Sequence, residues 1–400
     1  MLMSVMGCFL FYGGLVSQSR SISGNPVRCT LWCRVIDNFG DAGVAWRLAK
    51  SLSQEFHWRV RLMIDRPETL AAFVPECPAA ATDADVFDIG VRRWTDDSGD
   101  REAADVPDVT VETFSCRLPD AVEAAIAHRF DAGIPTAVFA LDYLTAETYA
   151  EESNNLVSRH PRWGYPKTFL FPGFTPKTAG VVREDNAGSR RETFTPEKRR
   201  DFLTRYGADP AAPFTLFFFT YPENPVESLV HAVVAAGEPI QVLLAPGEAS
   251  RRFKAAVEKA GTPAFIRTVQ LPMLPQADFD DVLLASDACL VRGEDSTLRV
   301  QLSGVPLLWT LYPQTEETHL VKMRAFAEKY SASFPSEARA AWLAMEEGLN
   351  ARGITPETWR AWKKTLPDDQ KGALLWRETL LKQPTAAQTV AQIAKEKLEY

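Results

Sequence analysis

Histidine is scarce in this chain, with five in 400 residues, and none are spaced to gather a metal ion. The six cysteines, Cys8, Cys29, Cys33, Cys77, Cys116 and Cys289, form no CxxC pair. Cys29 and Cys33 fall in one expected strand, roughly 13 Å apart at about 3.3 Å per residue, beyond disulfide reach. Neither a zinc site nor a disulfide scaffold is indicated, and reduced thiols in the cytoplasm are expected. Positive charge is also short: the formal net charge is -8, which argues against general nucleic-acid binding. There is no G-x-S-x-G, no Walker motif and no G-x-G-x-x-G, so hydrolase, P-loop and dehydrogenase readings lose their usual signatures. The apolar start "MLMSVMGCFLFYGGLVSQ" is too short and glycine-broken to span a bilayer, and its first basic residue is Arg20. Residues 1–27 are expected to be a disordered or non-native extension, and no membrane partner is expected.

What is present is a soluble-type composition, 46% hydrophobic and 24% charged, in a chain long enough for two domains. From residue 28 apolar runs alternate with helical patterns. "CTLWCRVI" (29–36) reads as a buried strand, and the helix after it carries Ala45, Leu48, Ala49, Leu52 and Phe56 on one stripe. A βαβα series of this kind predicts a doubly wound parallel sheet. Residues 185–200 are polar and read as a linker. The pattern then restarts at "FTLFFFTY" (214–221) as a second α/β domain over 201–372, and 373–400 is expected as a helix packing back on the first domain over 28–184. Two such domains place a cleft at the carboxyl ends of their strands.

Two segments at such strand ends carry possible chemistry. "VIDNFGDAGVAW" (35–46) sets Asp37 and Asp41 between a strand and a helix. Capping with a glycine turn is the plain alternative. Two acids there would repel a phosphate and suit a cation or a proton donor. "VRGEDSTLR" (291–299) is the mirror case: free backbone N–H groups at a helix start, with Arg292, Ser296 and Thr297 nearby, form an anion site. Its plain alternative is an N-capping Asp295 beside a surface Glu294. "FFFTYPENP" (217–225) ends in Tyr221, a candidate ligand contact, and "LPMLPQADFDD" (271–281) offers Gln276 and Phe279, an amide and a flat ring suited to a pyrimidine.

The ordered set "VIDNFGDAGVAWRLA", "FPGFTPKTAGVVRE", "LPMLPQADFDDVLLASDACLVRGEDS" and "GVPLLWTLYPQTEETHLVKM" resembles the bacterial protein-arginine rhamnosyltransferase family EarP over roughly residues 28 to 380. The resemblance implies a GT-B fold, two facing Rossmann-like domains with an interdomain cleft. It implies an inverting transfer of L-rhamnose from dTDP-β-L-rhamnose to one arginine of elongation factor P, activating that factor for polyproline stretches, with no metal and no cofactor. It places catalytic roles on Asp37, Asp41 and Glu294, and donor contacts on Tyr221, Gln276, Phe279, Arg292, Asp295 and Ser296. Met273 stands where the family often has an aromatic. Arginine has a pKa above about 12, so a carboxylate pair that grips the guanidinium and accepts its proton is the chemistry needed. Asp41 is the expected base and Asp37 the orienting group, with the reverse order left open. A GT-B transferase of other sugar or acceptor, and a two-lobed solute-binding protein, are the alternatives.

Overall fold

The computed structural model describes residues 25–36, 38–78, 83–95 and 99–399. Asp37 and residues 1–24 of the expected extension lie outside the described residues. The first domain opens with β1 (Arg28–Cys33), α1 (Asn38–Gln54), β2 (Arg59–Ile64), α2 (Pro67–Ala71), β3 (Asp83–Val86), β4 (Ile89–Arg93) and α3 (Gly99–Ala103). It continues with β5 (Val109–Thr113), α4 (Asp120–Asp131), β6 (Ala137–Leu141), α5 (Thr148–Ser153), β7 (Val157–Arg159) and β8 (Pro166–Leu170). The sheet order is β3-β4-β2-β1-β5-β6-β8-β7, parallel except for β3 and β7 at the edges. After Arg28, every residue of β1 is buried, as a central strand covered on both faces by helices requires. On α1 the stripe is buried at Ala45, Leu48, Ala49 and Leu52, and Phe56 packs at the edge of the same core.

The second domain follows through α6 (Ala187–Thr193), α7 (Pro196–Arg205), β9 (Thr215–Phe218), α8 (Val226–Ala236), β10 (Ile240–Leu244), α9 (Glu248–Lys259) and β11 (Ile266–Gln270). Then come α10 (Gln276–Ala285), β12 (Ala288–Arg292), α11 (Glu294–Ser303) and β13 (Leu307–Thr310). Its sheet is β11-β10-β9-β12-β13, all parallel. The stretch expected as a linker, 185–200, contains α6 and the first half of α7. Thr195 caps α7 by accepting the Lys198 N–H at 3.3 Å, with Pro196 at the first helical position.

Three further helices, α12 (Thr318–Tyr330), α13 (Ser336–Glu347) and α14 (Pro356–Leu381), pack into the second core. The chain then crosses back, and α15 (Ala386–Leu398) buries Ala386, Ala387, Val390 and Ala394 in the first core. The crossing is tight at Gly180, where a Cβ would sit 2.1 Å from the Pro384 carbonyl oxygen and φ is +76°. Arg183 holds the returning strand by donating to the carbonyls of Leu381 and Gln383, each at 3.1 Å. Strand order reverses between β1 and β5 and between β9 and β12, so each sheet offers a crevice at those carboxyl ends. Two doubly wound domains facing each other are the GT-B arrangement implied by the resemblance. Among the described residues no helix is long and apolar enough to cross a membrane.

Candidate active site

The chain leaves β12 at Arg292 and enters α11 through Gly293, whose φ of 69° is open to glycine and strained for other residues. Thr297 Oγ1 donates to the Gly293 carbonyl at 2.7 Å, and Trp309 Nε1 donates to the same oxygen at 3.2 Å. From Thr297 to Ser303 every residue of α11 is buried. Only its first turn, Glu294–Ser296, reaches the cleft, and it does so with its N–H groups foremost. Gly293 is therefore the N-cap, and Asp295 lies inside the first turn instead of capping it.

A cavity of about 150 Å³ lies against this turn. Tyr221, Gln276, Phe279, Arg292, Asp295 and Ser296 all line it, with Glu294 and Met273. The Arg292 guanidinium carbon lies 4.7 Å from the Phe219 ring centre and 4.5 Å from that of Tyr221. Among the described residues no carboxylate pairs with Arg292, so its donors face the cavity unspent. Phe279 meets Phe219 edge-on at 6.4 Å and Phe217 at 5.7 Å, giving an aromatic wall beside the guanidinium. Met273 is 43% exposed on the rim. A flat base against the aromatic wall, with phosphates toward Arg292 and the start of α11, fits this layout.

The first domain completes the cavity with Phe39, Gly40, Gly43, Arg47 and Phe73, residues that the motif reading did not place there. Phe39 and Phe73 meet edge-on at 6.3 Å, and the Gln276 N–H donates to the Phe73 carbonyl across the cleft at 2.9 Å. A Cβ on Gly43 would stand 3.3 Å from Asp295 Oδ2, a tight contact to which the Asp295 side chain would have to yield by a few tenths of an ångström. The signal for Phe39 and Gly43 lay inside the loop already singled out. Phe73 had none.

A second cavity, about 580 Å³, shares Gly40, Tyr221, Gly293, Glu294 and Asp295 with the first. Asp41, Asp142, Glu294 and Asp295 make it acidic, and Lys322 is a cation on its wall. Asp41 is 2% exposed and sits in the first turn of α1, where its Oδ2 accepts the Ile36 N–H at 2.8 Å. That bond fixes one oxygen by reaching back along the chain, a capping-type contact, while the residue lines the cavity. Asp37, expected beside it, lies outside the described residues.

Glu294 is held from both domains. The Leu144 N–H donates to its Oε2 at 3.2 Å, and Lys322 Nζ donates to its Oε1. The plain expectation of a surface glutamate fails because the first domain closes over it. Burial pushes its carboxyl above the ordinary range; Lys322 and the Leu144 N–H pull it back, and the Asp41 charge adds to the rise. Phe114 and Ser115 adopt left-handed backbone (φ 55° and 58°) at the end of β5, and Phe114 stacks on Tyr143 at 4.6 Å on the cavity wall. Among the described residues no group of three or more His, Cys, Asp or Glu is arranged to hold a metal ion.

Residues 29–395 match the family described as Elongation-Factor P (EF-P) rhamnosyltransferase EarP. The chain is 34% identical over 386 residues to a protein-arginine rhamnosyltransferase of Pseudomonas putida, covering 92% of this chain and 98% of that one. It is 34% identical over 391 residues to a protein-arginine rhamnosyltransferase of Neisseria meningitidis, covering 92% and 96%. A solved structure described as the structural basis for EarP-mediated arginine glycosylation of translation elongation factor EF-P superposes with a TM-score of 0.60 at 25% identity, covering 92% of this chain and 99% of that one.

Proposed function

The chain belongs to the EarP family of EF-P rhamnosyltransferases, and from that membership we propose that it moves L-rhamnose from dTDP-β-L-rhamnose to the guanidinium of one arginine of elongation factor P. Membership in a family of protein-arginine rhamnosyltransferases leaves no place for a solute-binding protein. The modified factor would then serve translation of polyproline stretches in the cytoplasm. The observation that carries the reading is the pair of cavities sharing the start of α11, one aromatic with a guanidinium free for anions, the other acidic.

In this reading the thymine packs on the wall formed by Phe279, with Gln276 at its edge, and the diphosphate meets Arg292, Ser296 and the α11 N–H groups. The acceptor guanidinium enters the acidic cavity. Asp37, ahead of α1, orients it as one side of a carboxylate grip. A guanidinium nitrogen attacks the anomeric carbon on the face opposite dTDP. As the C–N bond forms the C–O bond to the diphosphate breaks, with inversion, and Asp41 accepts the proton lost from nitrogen. Charge arriving on dTDP is stabilised by Arg292 and the helix start, so neither a metal nor a cofactor has a step to perform. Glu294 holds the sugar or the incoming guanidinium at the wall between the cavities.

Intact-mass measurement of elongation factor P, incubated with this protein and dTDP-rhamnose, tests the proposal. A gain of one deoxyhexose, mapped to a single arginine, is expected. An unchanged mass with folded protein would refute it.

A further inference from the structure

Running from the shared wall into the protein is a cluster of charges to which the mechanism gives no step. Arg47 is 1% exposed, yet its guanidinium is the meeting point of three carboxylates. Nη1 donates to Glu184 at 2.6 Å, Nη2 to Asp280 at 3.4 Å, and Nε lies 3.2 Å from Asp295 Oδ1. Arg299 backs the cluster, forking onto Asp280 at 2.9 and 2.8 Å and reaching Glu184 at 2.7 Å. Against the opposing effect of burial, the two guanidiniums hold Glu184 and Asp280 below their ordinary range. Burying five charged groups is a poor route to stability, since apolar side chains would fill the same space at less cost. Such a network is better suited to selecting one geometry.

Its placement says which geometry. Arg47 is six residues after Asp41 on the same helix, about 9 Å along its axis at ~1.5 Å per residue. Asp280 is one turn after Gln276 on α10, and Asp295 adjoins Glu294 on α11. Every contact of Arg47 across the cleft therefore lands within a turn of a residue lining the donor cavity. We propose that Arg47 is a positioning residue: one guanidinium ties the helix bearing Asp41 to the two helices that hold the donor, and so sets the reach from base to anomeric carbon. The inference rests on the transfer reading above. Lysine cannot replace it, because a single ammonium lacks the planar fork that serves three carboxylates in different directions.

The full-length protein tests this with Arg47→Met and Arg47→Lys. Displacing Asp41 by about 1 Å should lower kcat about a hundredfold in Arg47→Met and about tenfold in Arg47→Lys, a loss well beyond any in affinity for dTDP. Small-angle scattering of the free protein should show a larger radius of gyration for Arg47→Met. Wild-type kcat and radius in the variants would overturn the proposal, and so would loss of dTDP binding in step with kcat, the mark of a merely structural role. If Arg47→Met does not fold, Arg47→Lys decides by the same readouts. If the wild-type protein transfers no rhamnose, the functional reading fails on its own, and the scattering comparison still decides whether Arg47 sets the interdomain geometry.

Discussion

The two helix starts that face each other across the cleft are built on opposite principles. The start of α11 is anchored from behind: Gly293 is held by Trp309 and Thr297, and the rest of the helix is buried. The start of α1 has one side in the cleft, with Ile36 66% exposed and Phe39 38% exposed at its edge, and there the Ile36 N–H donates to Asp41 Oδ2 from just ahead of the helix. One side presents donors prepared for charge that develops on a leaving group; the other sets a buried acid, Asp41, behind an exposed apolar edge. A fixed anion site and a carboxylate set back from an exposed edge are what a small donor and a side chain reaching in from a protein acceptor respectively need.

That contrast can be broken most severely at Asp41. Asp41→Asn keeps an oxygen for the Ile36 N–H but removes the proton acceptor, so kcat should fall by about 10²–10⁴ while dTDP still binds. Retained turnover would remove Asp41 from the base role, and loss of folding would make it a cap. At the opposite start, Arg292→Ala should cost about 10²–10³ in kcat, here together with weaker dTDP binding, measured by calorimetry. If both variants lost dTDP equally, the division of labour between the two starts would be wrong. The smallest effect on transfer is expected at a site remote from both. Burial pushes the Asp369 carboxyl up to about 8. The folded state therefore keeps a proton that the unfolded state releases near pH 4, and stability should fall as pH rises from about 4 to about 8, by at most about 1.4 kcal/mol per pH unit. Asp369→Asn should flatten that slope in thermal melts and leave turnover unchanged; a persisting slope would point to another group.

Much of the scaffold was legible because it is local. Buried strands such as "CTLWC" and helices with one apolar stripe announce themselves by periodicity, and both helix starts stood out by their Asp, Gly and Ser residues after an apolar run. The β3–β4 hairpin and β7 did not, since strands of three to five residues, two of them at sheet edges, are too short and too charged for their pattern to stand out. The polar stretch at 185–200 leads into a helix as expected, α7, but its charge hid the short α6 ahead of it. Lys322 and the Leu144 N–H were invisible as partners of Glu294, because neither is near it in sequence. Arg47 had a faint signal, a lone arginine inside "VAWRLA".

Side-chain period and helix-start chemistry are properties of a few consecutive residues, so the chain alone sufficed for two doubly wound domains and for the residues at their strand ends. Which of those residues share a wall is another matter. Asp41, Leu144, Glu294 and Lys322 come together only when α15 returns to the first domain, Gly43 lets α1 approach α11, and Arg47 binds acids from both sides. Burial of Glu294, and with it the direction of its proton equilibrium, depends on that closure, because desolvation is set by what covers a group and not by its neighbours in the chain.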